Sequence, residues 1–85
     1  MYWVYILFSV EFRRYYIGQT ADLSSRLKRH NAGLVPSTRA YVPWDLILSI
    51  PKPSRGEAVA LEKKLKNLNS EDLKKFIEKY TQVKA

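Results

Sequence analysis

Residues 15–30 read Y-Y-I-G-Q-T-A-D-L-S-S-R-L-K-R-H, from Tyr15 to His30. Tyr15, Tyr16 and Ile17 suit a pleated strand, where aromatic and β-branched side chains pack well. Gly18 breaks it and permits a tight exit or a close backbone approach. Thr20 or Asp22 then caps a helix whose apolar stripe is Leu23 and Leu27. Arg26 and His30 lie one helical turn apart and share a face. A strand therefore carries Tyr16 towards a helix that supplies a permanent cation and an imidazole.

Working outward, Tyr2 to Phe8 reads as a strand with Val4, Ile6 and Phe8 on one face and Trp3, Tyr5 and Leu7 on the other. Both faces are apolar or aromatic, so both are expected to be covered. Ser9 to Arg14 is short and polar, and makes a hairpin with Arg13 and Arg14 near its tip. The first helix spans about Asp22 to Ala32, ends at Gly33 as the C′ residue, and is expected to carry Arg26, Lys28, Arg29 and His30 as an outward basic stripe. Leu34 to Pro43 has no steady period and two prolines, so it reads as a loop, with Arg39 inside it. Trp44 to Ile50 reads as a third strand, placing Trp44, Leu46 and Leu48 on one face and stopping at Pro51. Ser54 and Glu57 form a capping box for a helix reaching about Leu68, with Ala58, Leu61, Leu65 and Leu68 buried. Ser70 is expected to cap a last helix that buries Leu73, Phe76, Ile77 and Tyr80. The order β-β-α-β-α-α predicts an α/β (α+β) domain: a three-stranded, mainly antiparallel sheet flanked by helices.

The chain of 85 residues has length for one domain with one modest core. It contains no cysteine, which excludes disulfides, thiolate metal sites and cysteine nucleophiles. No apolar run approaches the roughly 18 residues that span a bilayer. Met1 to Leu7 is apolar but lacks a basic lead-in and a cleavage site, so a cytoplasmic protein without a membrane partner is expected. Fifteen Lys and Arg against eight Asp and Glu give a net charge of +7. So basic a small domain points to a polyanionic partner, of which nucleic acid is the commonest.

The motifs resemble those of the GIY-YIG nuclease superfamily, in particular its small stand-alone bacterial members and the N-terminal nuclease domain of the bacterial repair excinuclease. The second half-motif is intact as Tyr16-Ile17-Gly18, and the first appears as Trp3-Val4-Tyr5. The helix after the second half-motif carries an arginine and a histidine, Arg26 and His30. The helix after the third strand carries Glu62 within A-V-A-L-E-K-K-L-K. Three departures stand out: Trp3 replaces the first glycine, Gln19 stands where the excinuclease domains usually have lysine, and Asn67 and Asn69 follow Glu62 too closely to match the family's downstream asparagine.

The resemblance implies hydrolysis of phosphodiester bonds in DNA by an endonuclease, with Tyr5, Tyr16, Arg26, His30 and Glu62 as the catalytic set. It implies one divalent metal, Mg2+ or Mn2+, held by Glu62, a hard oxygen ligand suited to an ion coordinated mostly by water and phosphate. Arg26 offers fork geometry to a phosphate. Tyr5 is favoured as the base, with Tyr16 beside it on water or phosphate. An ordinary tyrosine has a pKa of about 10 and is only roughly 0.1% ionised at pH 7, so arginine, metal-bound hydroxide or His30 must assist. Arg13, Arg14, Lys28, Arg29, Arg39 and Lys66 are the candidate nucleic-acid contacts. With no spare recognition domain, sequence specificity is expected to be low, or set by branched or damaged DNA or by a protein partner, in repair or recombination. The alternative is a basic nucleic-acid-binding module with little or no turnover.

Overall fold

The computed structural model describes residues 1–84, with side chains over residues 1–81. Three strands, β1 (Tyr2–Ser9), β2 (Arg14–Thr20) and β3 (Asp45–Lys52), form one sheet in the order β2-β1-β3. Both pairings are antiparallel. The helices are α1 (Leu23–Asn31), α2 (Arg55–Lys66) and α3 (Ser70–Lys84), and a 3-10 turn covers Arg39–Tyr41. The chain order is thus β-β-α-β-α-α, as the periodicity predicts. No described helix is long and apolar enough to cross a membrane.

Alternation along β1 builds two cores, one on each side of the sheet. Val4 and Ile6 join Ile17, Leu48 and Ile50 beneath Ala58 and Leu65 of α2 and Leu73 of α3. Tyr5 and Leu7 face the other way, with Trp44, and are covered by Leu23 and Leu27 of α1 and by Tyr41 and Val42 of the loop. The expectation that both faces are covered therefore holds. At about 0.8 kcal/mol per buried methylene, this two-sided burial is the main stabilising term for so short a chain.

Local signals set the boundaries, with some differences from expectation. Asp22 caps α1 by accepting from the Ser25 amide at 3.1 Å. Thr20 instead braces the cap, accepting from the Asp22 amide at 3.1 Å. Ala32 closes α1 and Gly33, at φ +75°, turns the chain away. The Gly33 amide donates to His30 O and the Leu34 amide to Arg29 O, the paired bonds of a Schellman motif. Ser54 accepts from the Glu57 amide at 3.2 Å and donates to the Glu57 carboxylate at 3.1 Å. For α3 the cap is Asn69, not Ser70: its side chain accepts from the Asp72 amide at 2.8 Å.

The third strand departs most from a simple alternating pattern. The register slips between Ile6, paired with Leu48, and Leu7, paired with Leu46. Ile47 is the extra residue of this bulge. Trp44 consequently lies in the core beneath α1, whereas Leu48 and Ile50 lie in the core beneath α2. Leu46 stays 38% exposed, so Trp44, Leu46 and Leu48 do not form the single buried face that strict alternation predicts. The strand also continues through Pro51 to Lys52. Proline is tolerated there because β3 is an edge strand that needs no second ladder.

Candidate active site

Gly18 sits opposite Tyr5 in the β1–β2 ladder. The Tyr5 ring lies across it so closely that a Cβ on Gly18 would come within 2.5 Å of the Tyr5 hydroxyl oxygen and 2.6 Å of Cζ. Glycine is required here by the close approach; its backbone is not in the left-handed region, unlike that of Gly33. The missing side chain lets the Tyr5 ring extend towards α1, where its hydroxyl meets His30 Nε2 at 2.9 Å. Tyr16 completes an aromatic group, its ring centroid 6.3 Å from Tyr5 and 5.0 Å from His30.

His30 is fully buried, which corrects its expected place on an outward basic stripe. Leu23, Leu27 and His30 follow the i, i+4, i+7 spacing, so the histidine extends the apolar face of α1 towards the sheet. Lys28 and Arg29 do face outward, while Arg26 is half-buried at the boundary. On its far side the imidazole Nδ1 lies 2.8 Å from Thr38 Oγ1. The Thr38 hydroxyl also reaches the Val35 carbonyl at 3.4 Å, as donor. With its hydrogen committed there, the hydroxyl would accept from a protonated Nδ1 and leave Nε2 to accept the Tyr5 proton. Burial, and next the Arg26 guanidinium, lower the His30 pKa from its ordinary 6.5, so the ring is neutral at pH 7, as this tautomer requires.

Tyr5 is shifted in the opposite sense to that of a ready base. Burial raises its pKa far above the ordinary phenol range, the neighbouring Tyr16 adds to the rise, and Glu62 adds further, with Arg26 opposing. The same interactions show that Tyr5, Tyr16, Arg26 and Glu62 share one electrostatic neighbourhood. Glu62 stands on α2 with its side chain 18% exposed, and its carboxylate meets the Lys66 ammonium at 2.9 Å. Tyr5, Tyr16 and His30 thus meet from β1, β2 and α1, and Arg26 on α1 and Glu62 on α2 bear on the Tyr5 hydroxyl by charge.

The basic residues divide. Arg13, Arg14 and Lys66 line a cleft of about 390 Å³ with Tyr15 and Tyr16, along the outer edge of β2. The Arg14 guanidinium lies 4.3 Å over the Tyr41 ring. Arg39, exposed at the start of the 3-10 turn, and Lys28 and Arg29 do not line this cleft.

Sequence reasoning missed two residues of the surroundings. Asn31 clamps the Trp44 backbone, accepting from its amide at 2.6 Å and donating to its carbonyl at 3.1 Å. Thr38, only 1% exposed, is held in turn by the Trp44 indole, which donates to its carbonyl at 3.0 Å. Nothing in the residue pattern marks Thr38 or Asn31, because their partners are brought together only by tertiary folding.

The chain has counterparts among known proteins. The model of the GIY-YIG catalytic domain matches residues 1–80. The chain belongs to the GIY-YIG family. The solution NMR structure of a UPF0213 protein from Bacillus halodurans is similar at 30% identity and a TM-score of 0.59, with 92% of this chain and 84% of that one covered. A search of curated proteins finds no match. As a GIY-YIG domain the chain carries a nuclease-type catalytic unit, which implies binding to nucleic acid.

The fit of a metal to this GIY-YIG site rests on Glu62. No cluster of three or more His, Asp or Glu side chains suited to a metal occurs among the described residues. A lone carboxylate fits a magnesium-type ion that keeps its waters and takes substrate phosphate oxygens. That carboxylate is paired with the Lys66 ammonium at 2.9 Å, a contact that a bound ion would have to displace or share.

Proposed function

We propose that this GIY-YIG protein is a metal-dependent endonuclease that hydrolyses phosphodiester bonds in DNA. The observation that carries the reading is the hydrogen-bonded chain from Tyr5 through His30 to Thr38, set beside Arg26 and Glu62. A tyrosine with a raised pKa is a poor base if it must first become a free phenolate. It becomes a competent one if its own proton leaves as it accepts another. A water held between Tyr16 and Tyr5 gives a proton to the Tyr5 oxygen, while the Tyr5 proton passes to His30 Nε2. The resulting hydroxide attacks phosphorus and the bond to the leaving oxygen breaks. The imidazolium formed keeps its Nδ1 proton on Thr38 and returns the other through Tyr5 between turnovers.

Arg26 holds a non-bridging phosphate oxygen and offsets the charge that builds during attack. Glu62 would hold the divalent ion, magnesium or manganese, whose Lewis acidity favours departure of the leaving oxygen. The cleft with Arg13, Arg14 and Lys66 gives the adjoining backbone a path along β2 by charge alone, and Lys28, Arg29 and Arg39 add diffuse attraction. Such contacts are salt-sensitive and carry no base code. The substrate is accordingly selected by DNA shape, branched or damaged, as in repair or recombination, in the cytoplasm.

A second reading, a binding module without turnover, is favoured by one observation: the Lys66 ammonium already neutralises Glu62 at 2.9 Å. Labelled duplex, single-stranded, flap and branched DNAs, incubated with magnesium or manganese, separate the two. Cutting by wild type and not by Glu62→Ala, with binding kept, supports the nuclease. Salt-sensitive binding by both proteins with cutting by neither supports the module.

A further inference from the structure

We infer that Thr38 is a positioning residue that fixes the tautomer and the plane of His30. Only the kinetic consequence of this role rests on the nuclease reading above.

His30 is fully buried and has two ring nitrogens to satisfy. The partner that Nδ1 meets comes from outside α1. The chain solves this at a distance. Gly33 reverses direction, and the Thr38 and Arg39 amides both donate to the Val35 carbonyl, at 3.1 and 3.0 Å. This turn carries the Thr38 hydroxyl back to within 2.8 Å of Nδ1. The Tyr41 amide and the Trp44 indole both donate to the Thr38 carbonyl at 3.0 Å, which fixes the residue from its other side. Asn31, one residue after His30, grips the Trp44 backbone and closes the circuit.

The polarity of this circuit matters. If Nε2 carried the proton instead, it would donate to the Tyr5 oxygen and could not accept from it. In the inferred polarity the Thr38 hydroxyl donates to Val35 O at 3.4 Å and turns a lone pair to Nδ1 at 2.8 Å, which excludes that state. Valine, of the same shape, removes that acceptor and leaves Nδ1–H unsatisfied in a buried site, so the ring shifts its proton to Nε2 or rotates. Serine keeps the acceptor.

The chain contains a single histidine, so its imidazole 15N signals need no assignment. The test compares wild type, Thr38→Val and Thr38→Ser by 15N NMR at pH 7.5, and by turnover on whichever DNA the wild type cuts. The expected result is an Nδ1–H tautomer in wild type and Thr38→Ser and an Nε2–H or mixed population in Thr38→Val. With it comes a fall in kcat of about 10- to 100-fold at unchanged KM, the scale on which loss of a histidine's orienting partner acts, with Thr38→Ser restoring most of it. An Nε2–H tautomer in wild type overturns the inference without need of any variant. So does a Thr38→Val protein with unaltered tautomer or turnover. A wild type that cuts nothing sinks the nuclease reading, and with it the kinetic consequence, while the spectra still show whether Thr38 sets the ring.

Discussion

Replacing Gly18 with alanine adds one methyl group and tests the geometry at the centre of the site. The added Cβ would lie 2.5 Å from Tyr5 Oη, 2.6 Å from Cζ and 3.1 Å from Tyr16 Cε2. Tyr5 cannot yield by a rotation of its tip, because the ring is wedged between β2 and His30 and is 1% exposed. It must tilt away from Gly18, which breaks the 2.9 Å bond to His30 Nε2. Overpacking of this kind costs about 1–3 kcal/mol. A buried polar group left without its partner costs about 1–3 kcal/mol more. We expect a net loss of about 3 kcal/mol, which for a domain of this size lowers Tm by roughly 12–24 °C. Urea unfolding should show a lower midpoint at unchanged slope, since the unfolded chain exposes the same surface. Gly56→Ala is the control: its Cβ meets nothing within 4 Å, and in α2 it should stabilise by about 0.4–1 kcal/mol. In a Tyr5→Phe background the hydrogen bond is already absent while the Cζ contact stays. There the Gly18→Ala penalty should shrink by about 1 kcal/mol, a coupling expected of groups in contact. Gly18→Ala as stable as wild type would refute the reasoning, for it would mean that Tyr5 has room to move.

Other expectations follow from the same contacts. Asn31→Ala frees the Trp44 amide and carbonyl together, and should cost about 1–3 kcal/mol in urea unfolding; a loss below the fitting error would mean that water replaces the clamp. His30, buried beside Arg26, Tyr5, Tyr16 and Thr38, stays neutral in the folded protein to lower pH than in the unfolded chain. The unfolded state therefore binds more protons once pH falls below 6.5, and stability present above that value declines with a slope of up to about 1.4 kcal/mol per pH unit. His30→Gln should flatten this slope between pH 7.5 and 5.5, and an equal slope in the variant would assign it to other groups. Arg13 has φ +53°, which suits glycine. Arg13→Gly should raise stability by up to about 1 kcal/mol while weakening DNA binding and reducing its salt slope, both read by titration at two ionic strengths.

How much of this was legible in the sequence depends on the distance between cause and effect along the chain. The order β-β-α-β-α-α came from periodicity and end signals that act within one or two turns, such as Asp22 on Ser25 and Ser54 on Glu57. Gly18 after Tyr16-Ile17 already announced a close approach or a break, and the family resemblance nominated Tyr5, Tyr16, Arg26, His30 and Glu62. Their convergence required only that the strands pair and the helices pack, which the two-sided apolar pattern of Tyr2 to Phe8 enforced.

Tertiary structure decided the rest. The Ile47 bulge moves Leu48 to the opposite face from Trp44, an adjustment between two strands that neither strand encodes alone. Ser70 and Asn69 are both good caps, and in the folded chain Asn69 takes the role, its side chain accepting from the Asp72 amide. His30 looked like one more cation on a basic helix. Its neutral state follows from burial and from Arg26, and its two hydrogen-bond partners are Tyr5, 25 positions earlier, and Thr38, eight positions later. Residue type, spacing and the family resemblance nominated Tyr5, Tyr16, Arg26, His30 and Glu62; only the folded chain, by removing water from His30 and bringing Tyr5 and Thr38 to its two nitrogens, gave the imidazole its partners.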